Sequence, residues 1–475
     1  MRIGKAGRGV PAFLITNMIS EKVIKKLESI VGKDRVKNAN EDKLAYSYDA
    51  YIVRGMPDVV VFPKDTNEVV GILKIANEEN IPVIGRGSGS NLSGCSVPKK
   101  GGIVISFTMM NRILEINKEN RYAIVEPGKV LKEFQTEVEK QGLFYPPDPA
   151  SNSVATIGGT VMMNSGGLRG AKYGVTRDYI LGLEAVLIDG CVLKTGCLTT
   201  KNVTGYDLTS LLCGSEGTLA MVTKITVKLL PKPAAKKTIL ALYSDINDAT
   251  NTVSRIIANG FVPSALELMD DVLINAVADY AKLDYLKGVE ALLLIELDGH
   301  QKAIDDEAEK IIKLCSEFNV INVRSASSEK ESEELWKARR SAYGAMARLK
   351  PTCIVEDATV PVKYLPAAVS KVKEVAKKYN ILVGILAHAA DGNLHPQILT
   401  DEENKEELER IEKATSEIFD FALSVGGTLS GEHGIGIAKR KFLSRQIDNR
   451  SLNLMRDIKK LFDPKGLINP GSFLE

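Results

Sequence analysis

Six cysteines, one tryptophan and four histidines are all that this 475-residue sequence holds of its scarcest residue types, and each scarcity excludes some chemistry. The cysteines, at 95, 191, 197, 213, 315 and 353, form no C-x-x-C pair. Neither a zinc ribbon nor an iron–sulfur site is encoded, and a disulfide framework is not expected in a chain this long. Any electrons the protein handles must be carried by another cofactor. No apolar stretch approaches the roughly 20 residues that span a bilayer, so an integral membrane protein is not expected. The apolar run 10–15 is too short for a signal peptide, which leaves a cytoplasmic location as the default. Lys and Arg number 62 against 60 Asp and Glu, with no long basic block, so bulk charge offers no grip on nucleic acid or a membrane surface. The length suffices for two or three domains with buried cores.

What the sequence does have is glycine in clusters. Residues 84–94 (Ile-Gly-Arg-Gly-Ser-Gly-Ser-Asn-Leu-Ser-Gly) follow the apolar run 81–84. Small residues at that density let backbone N–H groups approach a diphosphate. A dinucleotide fingerprint starting at Gly85 needs glycine at 90, where Ser90 stands, and one starting at Gly87 needs it at 92, which is Leu92. A P-loop over 89–94 would continue with lysine, but Cys95 follows. The segment then runs into the β-like stretch 103–106. The loop therefore joins strand to strand, and backbone N–H groups rather than a helix N-terminus would hold any diphosphate.

Elsewhere the pattern alternates. Ser20 is placed to cap a helix with apolar positions 23, 24, 27, 30 and 31, ending at Gly32. Strands are expected at 59–62, 83–84, 103–107, 122–126 and 183–188, with a helix over 69–77. Small-residue loops are expected at 156–160, 164–167 and 214–219, the last leading into a strand over 224–230. Pro231-Lys232-Pro233 reads as a domain boundary. Beyond it, strands 238–243 and 291–297 alternate with amphipathic helices 249–258, 303–318 and 365–379, as in a separate α+β domain. The glycine-rich tail from 428 is expected to return to the first domain.

Three of the four histidines fall in two short motifs. The first is 388–395, His-Ala-Ala-Asp-Gly-Asn-Leu-His. A two-residue turn at Asp391-Gly392 would pair 390 with 393, 389 with 394 and 388 with 395. The two imidazoles would then face each other with Cβ atoms about 5 Å apart. The second motif is 430–436, Ser-Gly-Glu-His-Gly-Ile-Gly. Neighbours in extended backbone point to opposite sides, so Glu432 and His433 are not expected on one ion. The simplest division puts His388, His395 and Glu432 on a divalent metal with open positions for substrate, leaving His433 as a free base. The alternative is a set of hydrogen-bonded structural histidines. Arg339, in Leu335-Trp336-Lys337-Ala338-Arg339-Arg340, is either a carboxylate clamp or part of a solvated helix face.

Taken together, these segments resemble the FAD-linked oxidoreductases of the vanillyl-alcohol oxidase fold, in the branch of D-lactate dehydrogenase, D-2-hydroxyglutarate dehydrogenase and the flavin-binding subunit of glycolate oxidase. The matching stretches are 86–90, 145–149, 156–159, 164–167, 172–174, 202–207, 214–219 and 469–471, in order, over nearly the whole chain after about Asp58. The resemblance implies an α+β protein with a two-subdomain FAD-binding domain and an α+β substrate (cap) domain. Its expected divisions are an N-terminal helical segment 1–57, the FAD-binding domain 58–232, the cap 233–427, and a C-terminal segment 428–475 returning to the FAD domain. Arg86, Gly87, Ser88, Gly89, Ser90 and Asn91 would wrap the FAD diphosphate, with Thr156, Gly158, Gly159, Asn164 and Gly167 as the opposite wall. Pro147 and Asp148 join the cofactor-binding set. Glu216, Gly217 and Val222 would lie along the adenine and ribose end, and Asn469 would approach the flavin ring. The FAD is expected to be non-covalent, because no histidine precedes His300 to form a link.

The resemblance also implies zinc, manganese or iron on His388, His395 and Glu432, His433 as base, and Arg339 on the substrate carboxylate. Tyr343 is a weaker candidate for a hydroxyl contact. Where some relatives carry a basic residue just after 357–361, this chain has Val362 and then Lys363. The implied reaction is FAD-dependent, metal-assisted oxidation of a D-2-hydroxy acid, lactate or glycolate first, to the 2-keto acid. Hydride would pass to the flavin, and electrons onward to an iron–sulfur subunit, an electron-transfer flavoprotein or a quinone. A flavin subunit of a confurcating lactate dehydrogenase complex is the alternative within this class. From other classes come a metal-dependent hydrolase and a non-catalytic FAD-binding subunit. A homodimer is left open.

Overall fold

The computed structural model describes residues 19–474, so the apolar run 10–15 lies outside the described residues. Ser20 caps the helix Glu21–Val31, its hydroxyl accepting from Val23 N at 3.4 Å, and Gly32 ends it at φ 89°. Val23, Leu27 and Val31 bury one face of that helix in the same core as the apolar side of the helix Thr66–Glu79.

The first sheet has the spatial order Val36–Lys37, Val59–Val61, Ile103–Ser106, Val83–Arg86. Its last three strands are parallel. They read as near-continuous apolar runs, as strands covered on both faces do. Parallel neighbours need a crossover, usually a helix. Between Val83–Arg86 and Ile103–Ser106 the crossover is instead the glycine segment itself, which joins strand to strand as expected. A second, antiparallel sheet runs Ile113–Asn117, Tyr122–Val125, Met221–Lys228, Ile180–Val186, Val192–Gly196.

One sequence expectation fails here. The stretch 156–160 is not a loop, because Ile157–Met163 is helical. Thr156 supplies the N-cap, accepting from Gly159 N at 3.3 Å, and Asn164 closes the helix in the left-handed region at φ 49°. Ile157 and Val161, four apart, are fully buried and fix the helical period. Gly158 is required by close packing, since a Cβ there would lie 2.6 Å from Pro127.

After Pro231, which pairs with Leu143, the cap begins. Its sheet runs Val320–Ser325, Ala235–Tyr243, Ala291–Gly299, Ala265–Asp270, Leu382–His388, Asn393–Thr400, Thr352–Val355, with Ala358–Thr359 also paired to Asn393–Thr400. Helices Ile246–Ala258, Gln301–Cys315, Leu365–Tyr379 and Lys405–Ser424 cover one face, while Asp271–Ala281 and Glu329–Met346 cover the other. Alternation along Ala265–Asp270 sends Leu266 and Leu268 to the four-helix face, and Ala265 and Met269 to the two-helix face. Glu267 shares the second parity. The chain end lies against the first sheet: Val83 N donates to Leu467 O at 2.8 Å and Asn469 N to Val83 O at 2.7 Å.

Candidate active site

The histidine hairpin has a different register from the one Asp-Gly suggests. His388 pairs with Asn393, Ala387 with Leu394 and Leu386 with His395, so the turn holds four residues, 389–392. Ala389 N donates to Leu266 O at 2.7 Å, which keeps that residue with the neighbouring strand rather than in a two-residue turn. Gly392 closes the turn at φ 77°, where a Cβ would strike Val360 O. The register moves by two, an even number, so both histidines stay on one face. They are diagonal neighbours with ring centroids 4.9 Å apart.

Glu432 Oε1 lies 3.4 Å from His388 Nε2 and 3.1 Å from His395 Nε2. One ligand atom from each of the three residues falls within 4.8 Å of the other two. His395 Nδ1 and Nε2, Glu432 Oε2 and His433 Nδ1 are buried without a hydrogen-bond partner, the short His395–Glu432 approach being off the hydrogen-bond direction. Buried polar atoms are rarely left so. Two imidazoles and a carboxylate converge here, with His395 and one Glu432 oxygen unsatisfied, and the set fits a divalent metal. Burial alone would strip the proton from His388, but Glu267 and Glu432 outweigh it and hold its pKa well above the ordinary imidazole range. Burial would also neutralise Glu432, yet the flanking imidazoles of His388 and His395 hold its pKa well below the usual carboxylate value.

His433 does not diverge from Glu432 as an extended neighbour would. The segment 430–434 bends, and the His433 ring stacks on His395 with centroids 5.0 Å apart and planes at 19°. Burial brings its pKa down to about 4, so the imidazole is neutral near pH 7 and able to take a proton.

Arg339 is buried on the helix Glu329–Met346, not on a solvated face. Its Nε donates to Glu267 Oε2 at 2.6 Å, and Glu267 Oε1 lies 2.6 Å from His388 Nδ1. Glu267, which no sequence motif marks, thus joins Arg339 to the histidine cluster. Its one signal is a lone acid among apolar residues in Ala-Leu-Glu-Leu-Met. Asp357 is equally unmarked. Its carboxylate accepts from Ser430 Oγ at 2.5 Å and from the backbone N–H groups of Gly431, Glu432 and His433 at 2.9–3.1 Å. Tyr343 is half exposed, and Lys363 lies over its neighbour Tyr364 at 4.7 Å.

The residues expected at the cofactor divide into two groups. Ser88, Gly89 and Ser90 have backbone N–H groups with no protein partner among the described residues, as a loop built to meet a diphosphate would. Gly87 lies against Thr156, where a Cβ would collide with Oγ1, so the two glycine segments abut. The other group spends its side chains on the protein. The Arg86 guanidinium turns to Tyr48 O at 2.7 Å and the Tyr46 ring at 5.4 Å. Pro147 O accepts from Gln135, Asp148 pairs with Asn152 and Arg169, and Asn164 Oδ1 accepts from Arg177 N. Gly167 and Gly217 take positive φ, and Val222 is buried in its strand. Asn91 Nδ2 donates to His433 O at 3.2 Å, while Asn469 Nδ2 reaches Cys95 O and Glu216 O. Glu216 directs its carboxylate to Ile435 N and Gly436 N, at 2.7 and 2.8 Å.

Two family models match the chain: the FAD binding domain over residues 57–196, and the C-terminal domain of FAD linked oxidases over residues 232–473. The chain belongs to the family of FAD-linked oxidases. It is 46% identical over 455 residues to glycolate oxidase subunit GlcD of Bacillus subtilis (strain 168), covering 96% of this chain and 97% of that one. It is 39% identical over 418 residues to D-lactate dehydrogenase of Archaeoglobus fulgidus (strain ATCC 49558 / DSM 4304 / JCM 9628 / NBRC 100126 / VC-16), covering 87% and 90%. The solved structure of p-cresol methylhydroxylase with substrate bound superposes with a TM-score of 0.78 at 18% identity, covering 95% of this chain and 96% of that one. The fold is therefore that of the vanillyl-alcohol oxidase group. Among the described residues, no helix is long and apolar enough to cross a membrane.

Proposed function

We propose that this chain oxidises a small D-2-hydroxy acid, lactate or glycolate first, to the 2-keto acid. The observation that carries the reading is the convergence of His388, His395, Glu432 and His433 beside Arg339, in a chain whose relatives are named for glycolate and D-lactate oxidation. The unpartnered amides of 88–90 hold the FAD diphosphate. Bound FAD supplies the two-electron acceptor. His388, His395 and Glu432 hold zinc, manganese or iron, which supplies Lewis acidity toward the substrate oxygens. Arg339, with Nε fixed by Glu267, presents its remaining N–H groups to the substrate carboxylate. His433, neutral and packed on His395, accepts the hydroxyl proton. Electrons leave to a protein partner, a reading supported by the subunit naming of the glycolate oxidase relatives, or to a quinone. A cytoplasmic setting accompanies this reading.

The test is an anaerobic spectral titration of the FAD-loaded protein with D- and L-2-hydroxy acids. D-lactate or D-configured homologues, together with achiral glycolate, are expected to bleach the flavin absorbance, and the L-acids are not. His433→Ala is expected to keep its FAD but lose bleaching by about 100-fold or more, the usual scale of a lost general base. Bleaching at the wild-type rate in that variant would remove His433 from the mechanism.

A further inference from the structure

The turn 430–436 carries both a ligand and the base, yet it belongs to no strand and to no helix before Gly436. Such a segment is held by whatever receives its backbone N–H groups. Asp357 takes those of Gly431, Glu432 and His433, at 3.1, 3.1 and 2.9 Å. Gly434 N goes to Ser430 Oγ at 2.9 Å, and that hydroxyl in turn donates to Asp357 Oδ2. Glu216 takes Ile435 N and Gly436 N. All six consecutive amides therefore end on two buried carboxylates, one from the cap and one from the FAD-binding half, with Ser430 as the only intermediary.

Each carboxylate is fixed in turn. Lys439, itself buried, donates to Asp357 O at 2.9 Å and Leu429 O at 3.0 Å, with Asp357 Oδ2 at 3.5 Å. Cys95 Sγ lies 3.1 Å from Glu216 Oε2, and Asn469 holds the Glu216 carbonyl. Oriented backbone amides around a carboxylate form a concave, strongly directional contact. Among the described residues neither acid makes a hydrogen bond or ion pair with the imidazole rings or the Glu432 carboxylate, and the converging ligand atoms are those of His388, His395 and Glu432 alone.

We propose that Asp357 and Glu216 are positioning residues for the oxidation, a pair of carboxylates that grips the turn from both halves of the molecule and sets the aim of Glu432 and His433. The inference rests on the function proposed above. It gives Glu216, expected along the adenine and ribose end of the cofactor, a different task for its side chain. It also explains why an acid stands in the small-residue stretch 214–219.

The experiment compares Asp357→Asn and Glu216→Gln with Val253→Ala, a core truncation in the cap helix Ile246–Ala258, all as FAD-loaded full-length protein. Metal affinity is read by titrating chelator-stripped protein with Mn²⁺, Co²⁺ and Zn²⁺, and kcat and KM are read with D-lactate and glycolate. Hydrogen exchange over 430–436 is followed by mass spectrometry. Both acid variants are expected to keep their FAD, to lose about 10-fold or more in metal affinity and in kcat, and to expose the turn amides, at 431–433 for Asp357→Asn and at 435–436 for Glu216→Gln. Val253→Ala is expected to lower the melting temperature while leaving metal affinity, kcat and turn protection unchanged. Wild-type metal affinity and kcat in both acid variants would overturn the proposal. So would equal losses in Val253→Ala, which would mark the effect as general destabilisation. A wild-type protein that binds no divalent metal and is bleached by no 2-hydroxy acid would instead overturn the proposed function, and this inference with it.

Discussion

Glu267 holds a full charge at a position with no solvent contact, between Arg339 on one oxygen and His388 on the other. Burial would lift its pKa, but His388 and Arg339 bring it below the ordinary value. Glu267→Gln keeps the volume and removes the charge. Arg339 is then left buried without its counter-ion, a loss of about 3–5 kcal/mol where one partner of a buried pair is taken away. His388 also loses the group that orients its ring, which costs a metal site about 10- to 100-fold in affinity. Urea unfolding and metal titration of the variant measure the two effects, and stability within about 0.5 kcal/mol of wild type would show that the bridge does little. The same residue marks where sequence reading stops. Histidines are so few in this chain that their two clusters stand out, and His388, His395, Glu432 and His433 are legible for that reason. Asp and Glu number 60, so a carboxylate becomes informative only when its burial is seen. Glu267 and Asp357 are visible in the fold and nearly silent in the sequence.

Elements are legible where local signals agree with burial. The helix Leu365–Tyr379 has the expected bounds, because Pro366 opens it, an apolar stripe runs through it and Asn380 closes it in the left-handed region at φ 49°. The helix Ile157–Met163 is hidden because two glycines, one of them needed for close packing against Pro127, mask its period. The hairpin register escapes a local reading because the strand Ala265–Asp270, distant in sequence, claims Ala389. That same strand ends at an N-cap with a measurable signature. Asp270 accepts from Leu273 N at 3.1 Å to start the helix Asp271–Ala281, while its other carboxylate oxygen is buried without a partner. Burial lifts its pKa to about 7. In the unfolded chain the value is about 3.9. Between the two, the folded state holds a proton that the unfolded state has released. The stabilisation this gives is complete below the unfolded value and is lost as pH rises through about 7. Asp270→Asn keeps a capping oxygen and carries no charge. Its melting temperature relative to wild type is therefore expected to rise between pH 5 and pH 8, and a difference that stays flat with pH would show that Asp270 does not titrate in this window.

At the scale of the whole molecule, the site exists only because two halves of the chain are held in register. The first half supplies the glycine crossover and Glu216, and the cap supplies His388, His395, Glu267, Arg339 and Asp357. The turn at 430–436 meets both. A second tie lies away from it: Lys172 Nζ donates to Asp298 O at 2.7 Å and Oδ1 at 2.5 Å, and Tyr173 Oη donates to Asp298 Oδ2 at 2.8 Å. The Asp298 side chain is fully buried, and Lys172 is partly exposed. Sequence alone places 172–174 among the matching segments but offers no partner for it, since the partner is 126 residues away in the cap sheet. Asp298→Ala would leave the Tyr173 hydroxyl without its acceptor and Lys172 with only the backbone O of residue 298, at a cost of about 1–3 kcal/mol. The larger consequence is geometric, because reacting groups supplied by two bodies lose rate steeply when one drifts, about 100-fold for 1 Å. Asp298→Ala is therefore expected to retain its FAD and its metal affinity while slowing substrate-driven bleaching by about 10-fold or more, which corresponds to roughly half an ångström of drift on that scale. Asp298→Asn, which keeps an oxygen for Lys172, is expected to fall between the two. Stopped-flow bleaching with D-lactate separates these outcomes, and wild-type rates in Asp298→Ala would show that the turn at 430–436 alone keeps the two halves aligned.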